Sequence, residues 1–348
     1  MRAFYHPEQA LHDPQQYMRF GRVVAAKDLP CRTDRLLQAL QMNGVSPELP
    51  KANGIEAALE IHTGPFLNFL RRAWDLWQDF PPERGPEVWP ATFPYWSGRP
   101  EEAHRSECRA TGLLGRMGWY LGDLSVPIGP HTWLSTSRSV ETAVAGADAL
   151  LAGTKSAFAL CRPSGHHARA DRASGFCYLN NAAVAAQRLR SKYERVAVLD
   201  VDAHHGDGTQ QIFYGRSDVL TISIHGDPSN FYPFYTGYED ERGNGAGMGY
   251  NLNLPLPPRS AKLQMLKAID AATLAIRQFE AEALVLSLGY DAHEADPIGI
   301  LSLTSEDFAE IGAAVRALGL PTLVVQEGGY AVEVIGECLQ AFLNGFRG

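Results

Sequence analysis

Five ionisable residues directly follow an apolar run in residues 195–207, RVAVLDVDAHHGD. They are Asp200, Asp202, His204, His205 and Asp207. Residues 196–199 form the continuous apolar run of a fully buried parallel strand. Because a desolvated charge is costly unless it is paired or bound to a metal, stability alone does not explain so many charges at a buried strand end. The stretch therefore indicates a functional site, and the alternative is a strand end followed by a solvated acidic turn.

Asp202 and His204 have the residue types and the spacing of metal ligands. The strand pattern continues without a break, and alternation along it places Asp200, Asp202 and His204 on one face at its carboxyl end. In an open α/β sheet that end is where ligands bind. Carboxylate and imidazole donors suit a divalent transition metal and leave coordination positions open for water and substrate.

Polar clusters also follow three other predicted strands. RPSGHH at 162–167 follows strand 157–161, GYDAH at 289–293 follows strand 283–289, and GGY at 328–330 follows strand 322–327. Four clusters at one edge of a parallel sheet predict a single site. Asp291 is the best candidate for a third metal ligand because it lies directly at a buried strand end.

The remaining residues of these clusters suit acid–base chemistry. His166 and His167 would supply a general base and a general acid, and Asp200 and Asp207 are spare carboxylates that would give the two imidazoles different electrostatic settings. Tyr330 lies on a Gly-Gly turn and would donate its hydroxyl to an oxyanion. Together with a metal that polarises a carbonyl and activates water, these groups predict hydrolysis of an amide or ester.

Regular alternation of strands and helices positions these clusters. The predicted strands are 2–5, 157–161, 196–202, 219–225, 283–289 and 322–327, and the predicted helices are 32–43, 55–61, 65–79, 133–153, 179–192, 260–280, 305–317 and 332–344. This order predicts an α/β fold with a mostly parallel sheet covered by helices on both faces. Since no internal linker divides the chain, we expect a single domain over residues 1–348.

Residues 80–130 interrupt this pattern with a segment rich in Pro, Trp and Gly that fits neither the helical nor the strand period. An insert of this length inside a compact domain is usually functional or part of an interface. Its aromatic residues, among them Trp89, Phe93, Tyr95 and Trp96, need cover that a second subunit would provide. The insert therefore predicts a homodimer interface.

The composition limits which classes of partner the protein could bind and indicates its cellular compartment. The 348 residues include 31 basic and 39 acidic ones, for a net charge of −8, which argues against nucleic acid as a partner and fits a cationic small molecule. Five scattered cysteines without a CxxC pair predict reduced thiols in the cytoplasm. We see no secretion signal and no apolar run of about 20 residues, so we expect no membrane partner.

Six motifs together resemble the histone deacetylase and acetylpolyamine amidohydrolase family. They are RPSGHHA from residue 162, GFCYLNN at 175–181, LDVDAHHGDGTQ at 199–210, SIHGDP at 223–228, GYDAHEADP at 289–297 and EGGY at 327–330. The resemblance runs from about residue 155 to the last residue. It implies a single-domain arginase–deacetylase fold around an eight-stranded, mostly parallel sheet with helices on both faces.

The resemblance also implies a role for each matching residue. It implies one catalytic Zn²⁺ bound by Asp202, His204 and Asp291. His166 and His167 fall on tandem catalytic histidines paired with Asp200 and Asp207 respectively, and Tyr330 falls on the catalytic tyrosine. The implied substrate tunnel contains Phe176, Tyr232, Gly175 and Asp123. A structural K⁺ is implied at Asp200, Asp202, His204, Ser223 and Ile224.

Within that family, the motifs and the aromatic insert are most similar to the bacterial acetylpolyamine amidohydrolases, where the insert forms a dimer and narrows the tunnel. This branch implies zinc-dependent removal of acetyl groups from acetylated polyamines. One departure concerns substrate binding: acidic residues of the insert meet the substrate amine in that branch, but Leu114 and Ser125 stand at the aligned positions here. Asp123 could serve instead, or could hold substrate backbone.

A lysine deacetylase acting on acyl-lysine peptides or other acylated amines is the alternative function. A catalytically silent binding protein would lack a ligand or the tyrosine, and none is missing.

Overall fold

The computed structural model describes residues 1–51, 54–90, 94, 95 and 107–348. Its strands are β1 (Arg2–Phe4), β2 (Gln16–Arg19), β3 (Arg22–Ala25), β4 (Ser156–Ala159), β5 (Val196–Asp200), β6 (Val219–Gly226), β7 (Asn251–Leu256), β8 (Ala283–Leu288) and β9 (Thr322–Gln326). Seven of them form a central sheet in the order β1-β4-β9-β8-β5-β6-β7, and every neighbouring pair is parallel. The predicted α/β class is confirmed.

Helices cover both faces of this sheet. They are α1 (Cys31–Met42), α2 (Gly54–Ala58), α3 (Gly64–Gln78), α4 (Leu113–Tyr120), α5 (Thr132–Leu151), α6 (Asn181–Leu189), α7 (Asp207–Phe213), α8 (Lys262–Gln278), α9 (Asp307–Arg316) and α10 (Ile335–Arg347). In α10, buried residues recur every three or four positions, as an amphipathic helix requires. They are Ile335, Cys338, Leu339, Phe342, Leu343 and Phe346.

Alternation along the inner strands divides the apolar side chains between two cores. Val198 and Val285 pack on one face with helices α3 to α6, whereas Leu199 and Leu286 pack on the other with α1, α8, α9 and α10. Every residue of β5, β6, β8 and β9 is buried. Since both faces are covered, these strands tolerate ionisable side chains only at their ends, which is where the site lies.

The central sheet contains seven strands among the described residues rather than the expected eight. Strands β2 and β3 form a separate antiparallel hairpin instead of joining it. Only Tyr17 of the hairpin is buried, so its pattern does not suit a sheet that is covered on both faces.

Besides the hairpin strands β2 and β3, three elements had no counterpart in the sequence prediction. Strand β7 alternates Asn with Leu and contains Pro255, a residue that β-sheets tolerate at an edge position such as this one. Helix α7 is too short to show a helical period, and α4 lies in the insert, where we expected no regular structure.

Part of the insert packs on its own chain. Trp89 donates its indole N–H to the Leu124 carbonyl at 3.1 Å, and Tyr95 stacks on Trp119 with ring centroids 5.2 Å apart. Tyr95 nevertheless remains 54% exposed. Phe93 and Trp96 lie outside the described residues. None of the helices in the part of the chain that the structure describes is long and apolar enough to span a membrane.

Candidate metal and catalytic site

The four strands whose carboxyl ends carry the predicted polar clusters are direct neighbours. They lie side by side in the order β4-β9-β8-β5. Because all four are parallel, the loops after them emerge at one edge of the sheet. Residues separated by more than a hundred positions in the chain are thereby brought into one buried site.

The turn after β5 carries the candidate metal ligands Asp202 and His204, and it begins earlier than predicted. The strand ends at Asp200 rather than at Asp202. The Asp202 N–H donates to Asp200 Oδ1 at 3.0 Å, and the His204 N–H donates to Asp202 Oδ1 at 2.9 Å. These side chain–backbone hydrogen bonds replace the strand ladder, so Asp202 and His204 lie on a tight loop. Strand alternation was therefore the wrong reason for placing them together.

Donor atoms of Asp202, His204 and Asp291 converge, all lying within 4.8 Å of one another. His204 Nδ1 lies 2.9 Å from Asp291 Oδ2 and 3.3 Å from Asp202 Oδ1. All three residues are buried. Backbone N–H groups orient both carboxylates: that of Ala203 donates to Asp291 Oδ1 at 2.7 Å, and that of Gly328 donates to Asp202 Oδ2 at 2.8 Å.

The electrostatics of this cluster fit a bound cation. Burial and the neighbouring Asp202 raise the pKa of Asp291 to about 7. Burial opposes the charged form of His204, but Asp291 and Asp202 outweigh that cost and raise the pKa of the imidazole to about 10. The His204 imidazole thus holds a proton that faces both carboxylates. A divalent cation would neutralise the same charge, and one imidazole with two carboxylates is a suitable donor set for it.

Each of the tandem histidines is hydrogen-bonded to a buried carboxylate. His166 Nδ1 lies 2.9 Å from Asp200 Oδ2, and His167 Nδ1 lies 2.7 Å from Asp207 Oδ1. Arg169 also donates to Asp207, with Nη2 2.8 Å from Oδ2. Since Nδ1 of a neutral His167 donates to Asp207, its Nε2 carries the lone pair that can accept a proton.

The pKa values of the two imidazoles are shifted in opposite directions although the ring centroids are only 4.0 Å apart. Burial opposes the charged form of His166, but Asp202 and Asp200 overcome it and raise its pKa well above the usual value. Burial and the positive charge of His166 lower the pKa of His167 to about 4, against the opposing effect of Asp207. His166 is therefore the proton-bearing partner and His167 the neutral one.

Tyr330 lies at the edge of this cluster and is held on several sides. Its ring contacts Phe176 with centroids 5.6 Å apart, and the Arg32 guanidinium lies 4.7 Å from the ring centroid. Its backbone N–H donates to Asp296 Oδ2 at 2.6 Å. Burial raises the pKa of the Tyr330 phenol well above its usual value, although the charge of Arg32 opposes the shift. The hydroxyl therefore remains a protonated donor.

Phe176 and Tyr232, the predicted tunnel residues, contact Tyr330 and His167 respectively. The Tyr232 ring meets that of His167 edge-on at 4.9 Å. Gly175 has φ of +55°, and a Cβ atom there would lie 2.3 Å from His167 Cδ2, so a side chain at this position would displace the imidazole. Asp123 accepts hydrogen bonds from Gly175 N and the Tyr232 hydroxyl.

The residues suggested for K⁺ lie on the two neighbouring strands β5 and β6 and on the loop after β5. Ser223 pairs with Asp200 in the parallel register, and Ile224 follows it on β6. The Ser223 hydroxyl lies 2.8 Å from His225 Nδ1. Potassium binding stays a prediction.

Glu327 and Asp296 belong to the site although the sequence analysis did not select them. Glu327 Oε2 accepts the backbone N–H groups of Gly165 at 2.7 Å and His166 at 3.2 Å, and so supports the histidine loop. Burial raises the pKa of Glu327 to about 7, although the positive charge of His166 lowers it. A carboxylate at the end of the buried strand β9 was a detectable signal of the kind that identified Asp200.

Comparison with known proteins assigns the chain to a family. A family model described as histone deacetylase domain matches residues 27–346. The chain belongs to the histone deacetylase family. It is 43% identical to the acetylpolyamine amidohydrolase of Burkholderia pseudomallei (strain 1710b), over 99% of this chain and 98% of that protein. It is 39% identical to the acetylpolyamine amidohydrolase of Mycoplana ramosa, over the whole length of both chains.

A solved structure supports the same assignment. The crystal structure of acetylpolyamine aminohydrolase from Burkholderia pseudomallei superimposes with a TM-score of 0.94 at 42% identity, covering 99% of this chain and 98% of that one. The predicted family and the single-domain deacetylase fold are confirmed. This member of the histone deacetylase family is an amidohydrolase of the deacetylase type.

Proposed function

We propose that this enzyme is a zinc-dependent amidohydrolase that removes acetyl groups from acetylated polyamines. The observation that carries the proposal is the convergence of Asp202, His204 and Asp291 beside two differently charged imidazoles and a phenol. The substrate class rests on full-length similarity to proteins named acetylpolyamine amidohydrolase. A cationic substrate also suits the net charge of −8.

Asp202, His204 and Asp291 would hold the zinc ion. When bound, zinc supplies Lewis acidity toward the acetyl carbonyl and lowers the pKa of water. The protein itself supplies the orientation of these ligands, through the N–H groups of Ala203 and Gly328. Burial of the cluster excludes bulk water and so strengthens the interaction of each charge with the reacting groups.

Proton transfer falls to the tandem histidines. His167 is neutral and accepts the proton of the attacking water at Nε2, since its Nδ1 is bonded to Asp207. It later returns that proton to the leaving amine. His166, which bears a proton and is bonded to Asp200, assists by stabilising negative charge near the carbonyl. Tyr330 donates its hydroxyl to the carbonyl oxygen as negative charge develops there.

The first test is steady-state hydrolysis of N-acetylputrescine, N-acetylcadaverine and an acetyl-lysine peptide, with and without a chelator. We expect a marked preference for the free acetylated amines, and loss of activity on chelation that zinc reverses. Peptide turnover with little activity on the amines would favour the lysine deacetylase alternative. Activity that survives chelation would contradict the metal-dependent chemistry.

Tyr330→Phe tests the oxyanion role by removing a single oxygen atom. Loss of one preorganised oxyanion donor typically lowers kcat by about 10²–10³-fold, or ~2.7–4 kcal/mol of transition-state stabilisation. We expect a loss of that size with KM nearly unchanged and with the same zinc content as the wild type. Unchanged turnover would remove Tyr330 from the mechanism.

We further propose a homodimer in the cytoplasm that buries the 80–130 insert, with a structural K⁺ at Asp200, Asp202, His204, Ser223 and Ile224. Exposure of Tyr95 (54%) and Leu114 (44%) supports an interface at the insert. Light scattering coupled to size-exclusion chromatography tests the dimer: a mass close to the single-chain 38.1 kDa would contradict it.

A further inference from the structure

Asp123 makes four hydrogen bonds within the protein. Its Oδ1 accepts the backbone N–H of Ser125 at 2.8 Å and the Ser125 hydroxyl at 2.6 Å. Its Oδ2 accepts the backbone N–H of Gly175 at 2.9 Å and the Tyr232 hydroxyl at 2.6 Å. One carboxylate therefore joins three segments: its own turn, the loop before α6 and the loop after β6.

These bonds use the full acceptor capacity of the carboxylate. Two carboxylate oxygens offer about four lone-pair positions, and each of them has a donor here. Hydrogen bonds to an ionised acceptor are the stronger kind, so an incoming substrate amine would have to displace one of them. Asp123 is thus poorly suited to serve as the direct partner of a substrate ammonium or of a substrate backbone N–H.

The two donors on Oδ2 belong to the two segments that carry Phe176 and Tyr232, the aromatic walls of the proposed tunnel. Gly175 precedes Phe176, whose ring packs against Tyr330 at 5.6 Å and against Tyr17 at 5.1 Å. Tyr232 is held at its hydroxyl by Asp123 and at its ring by the edge-on contact with His167. A single oxygen atom therefore links the walls, so neither can move away from the other without breaking a hydrogen bond.

We infer that Asp123 is a positioning residue: it fixes the spacing between Phe176 and Tyr232 and does not form an ion pair with the distal amine of the substrate. The inference rests on the proposed deacetylation of free acetylated amines and specifies what this carboxylate contributes to it. Acetyl-lysine peptides are disfavoured because Tyr232 already occupies the acceptor that a peptide N–H would need.

The test compares two substrates of equal length, N-acetylputrescine and N-acetylpentylamine, in which a methyl group replaces the distal ammonium. We expect Asp123→Asn to lower kcat/KM by about tenfold for both substrates, leaving their ratio within twofold of the wild-type ratio. An amide cannot accept from all four donors, so the link between the walls is broken whichever substrate is present. Thermal unfolding of each variant checks that it is folded.

Tyr232→Phe gives a second test because it removes only the hydroxyl. We expect a smaller and equal loss for the two alkylamides, together with a several-fold gain in kcat/KM for an acetyl-lysine peptide, since Asp123 regains a free acceptor. A general structural defect would not produce that gain. Tyr193→Phe is the control for loss of a tyrosine hydroxyl: Tyr193 precedes the amino end of β5, at the edge of the sheet opposite the site, and its variant should leave all three rates unchanged.

The outcomes separate this inference from the proposed function. If Asp123→Asn reduces only the rate with N-acetylputrescine, the carboxylate binds the substrate ammonium and the inference is wrong. The inference is also wrong if both variants behave like the wild type. Absence of turnover of any acetylated alkylamine by the zinc-loaded wild type overturns the proposed function, and the inference with it.

Discussion

Asp296 accepts hydrogen bonds from the backbone of Tyr330 and from the backbone of its own loop. Its Oδ2 accepts the backbone N–H groups of Tyr330 at 2.6 Å and Ala331 at 3.2 Å. Its Oδ1 accepts those of Ile298 at 3.0 Å and Gly299 at 3.2 Å. The carboxylate therefore ties the loop after β8 to the turn that carries the tyrosine.

Asp296→Asn tests whether these hydrogen bonds hold Tyr330 in the position that the reaction requires. The amide retains one accepting oxygen, so one pair of N–H groups loses its partner. We expect kcat to fall by about tenfold with little change in KM, because an unsatisfied N–H costs about 1–3 kcal/mol and would let Tyr330 shift. Steady-state kinetics of the variant, at equal zinc content, measure the effect.

A double-mutant cycle with Tyr330→Phe separates positioning from general destabilisation. If Asp296 acts through the tyrosine hydroxyl, Asp296→Asn should cause almost no further loss in the Tyr330→Phe background. Losses that multiply instead would mean that Asp296 supports some other part of the site, such as the proposed metal ligand Asp291.

At the scale of elements, the inner strands were the most predictable part of the chain. Strands β5, β8 and β9 appear as apolar runs because both faces of the sheet are covered, and the polar residues that follow them identified the site. Strand β7 was missed because its alternation of Asn and Leu around Pro255 resembles a loop. The contacts of Asp296 and Glu327 were not predictable from local patterns, since their partners lie 34 and 162 positions away.

The turn after β9 approaches the proposed metal ligands so closely that only glycine fits. A Cβ atom at Gly328 would lie 2.5 Å from Asp291 Oδ2 and 2.6 Å from Asp202 Oδ2. We expect Gly328→Ala to displace one or both carboxylates and to weaken zinc affinity by about 10–100-fold, the range found when groups that orient metal ligands are lost. Competition with a chromophoric chelator measures this affinity.

Gly64→Ala is the matched control for that substitution. Gly64 begins α3, and a Cβ atom there would meet nothing within 4 Å. The zinc affinity of the Gly64→Ala variant should equal that of the wild type. An equally unchanged affinity in Gly328→Ala would show that the ligands tolerate the methyl group, contrary to the argument from close approach.

His62 connects two loops next to α6, and it does so as a neutral imidazole. Its Nε2 accepts the backbone N–H of Asn180 at 2.9 Å, so Nδ1 carries the proton that it donates to the Arg169 carbonyl at 3.0 Å. Burial lowers the pKa of His62 from 6.5 to about 4. Between pH 6.5 and 4 the unfolded chain therefore binds a proton that the folded chain does not.

This difference gives a pH-dependent stability with a definite sign. The free energy of unfolding should fall as the pH falls from 6.5 to 4, and His62 contributes up to about 1.4 kcal/mol per pH unit of that slope. His62→Gln should be less stable than the wild type near pH 8 because it loses well-fitted hydrogen bonds. Its slope between pH 6.5 and 4 should be shallower by about that amount, so the difference in stability should narrow as the pH falls. Urea unfolding at intervals from pH 4.5 to 8 measures both. Identical slopes in the two proteins would contradict a neutral buried imidazole.

At the scale of the whole molecule, the site lies where the two apolar cores meet the carboxyl edge of the sheet. Asp202 and His204 follow β5, Asp291 follows β8, and Gly328 after β9 donates to Asp202. A metal at this point would join loops from neighbouring central strands. Its binding should therefore stabilise the fold as a whole, and not only complete the catalytic site.

Metal removal tests this coupling. A ligand that binds only the folded state adds about 4.1 kcal/mol of stability when its free concentration is a thousand times its Kd. We expect the zinc-loaded protein to unfold several degrees above the chelated protein and the difference to return when zinc is added back. Asp291→Ala removes one carboxylate of the cluster, so its Tm should respond little to zinc. If that variant shows the same zinc-dependent shift as the wild type, the stabilising ion binds elsewhere, and the convergence of Asp202, His204 and Asp291 does not explain it.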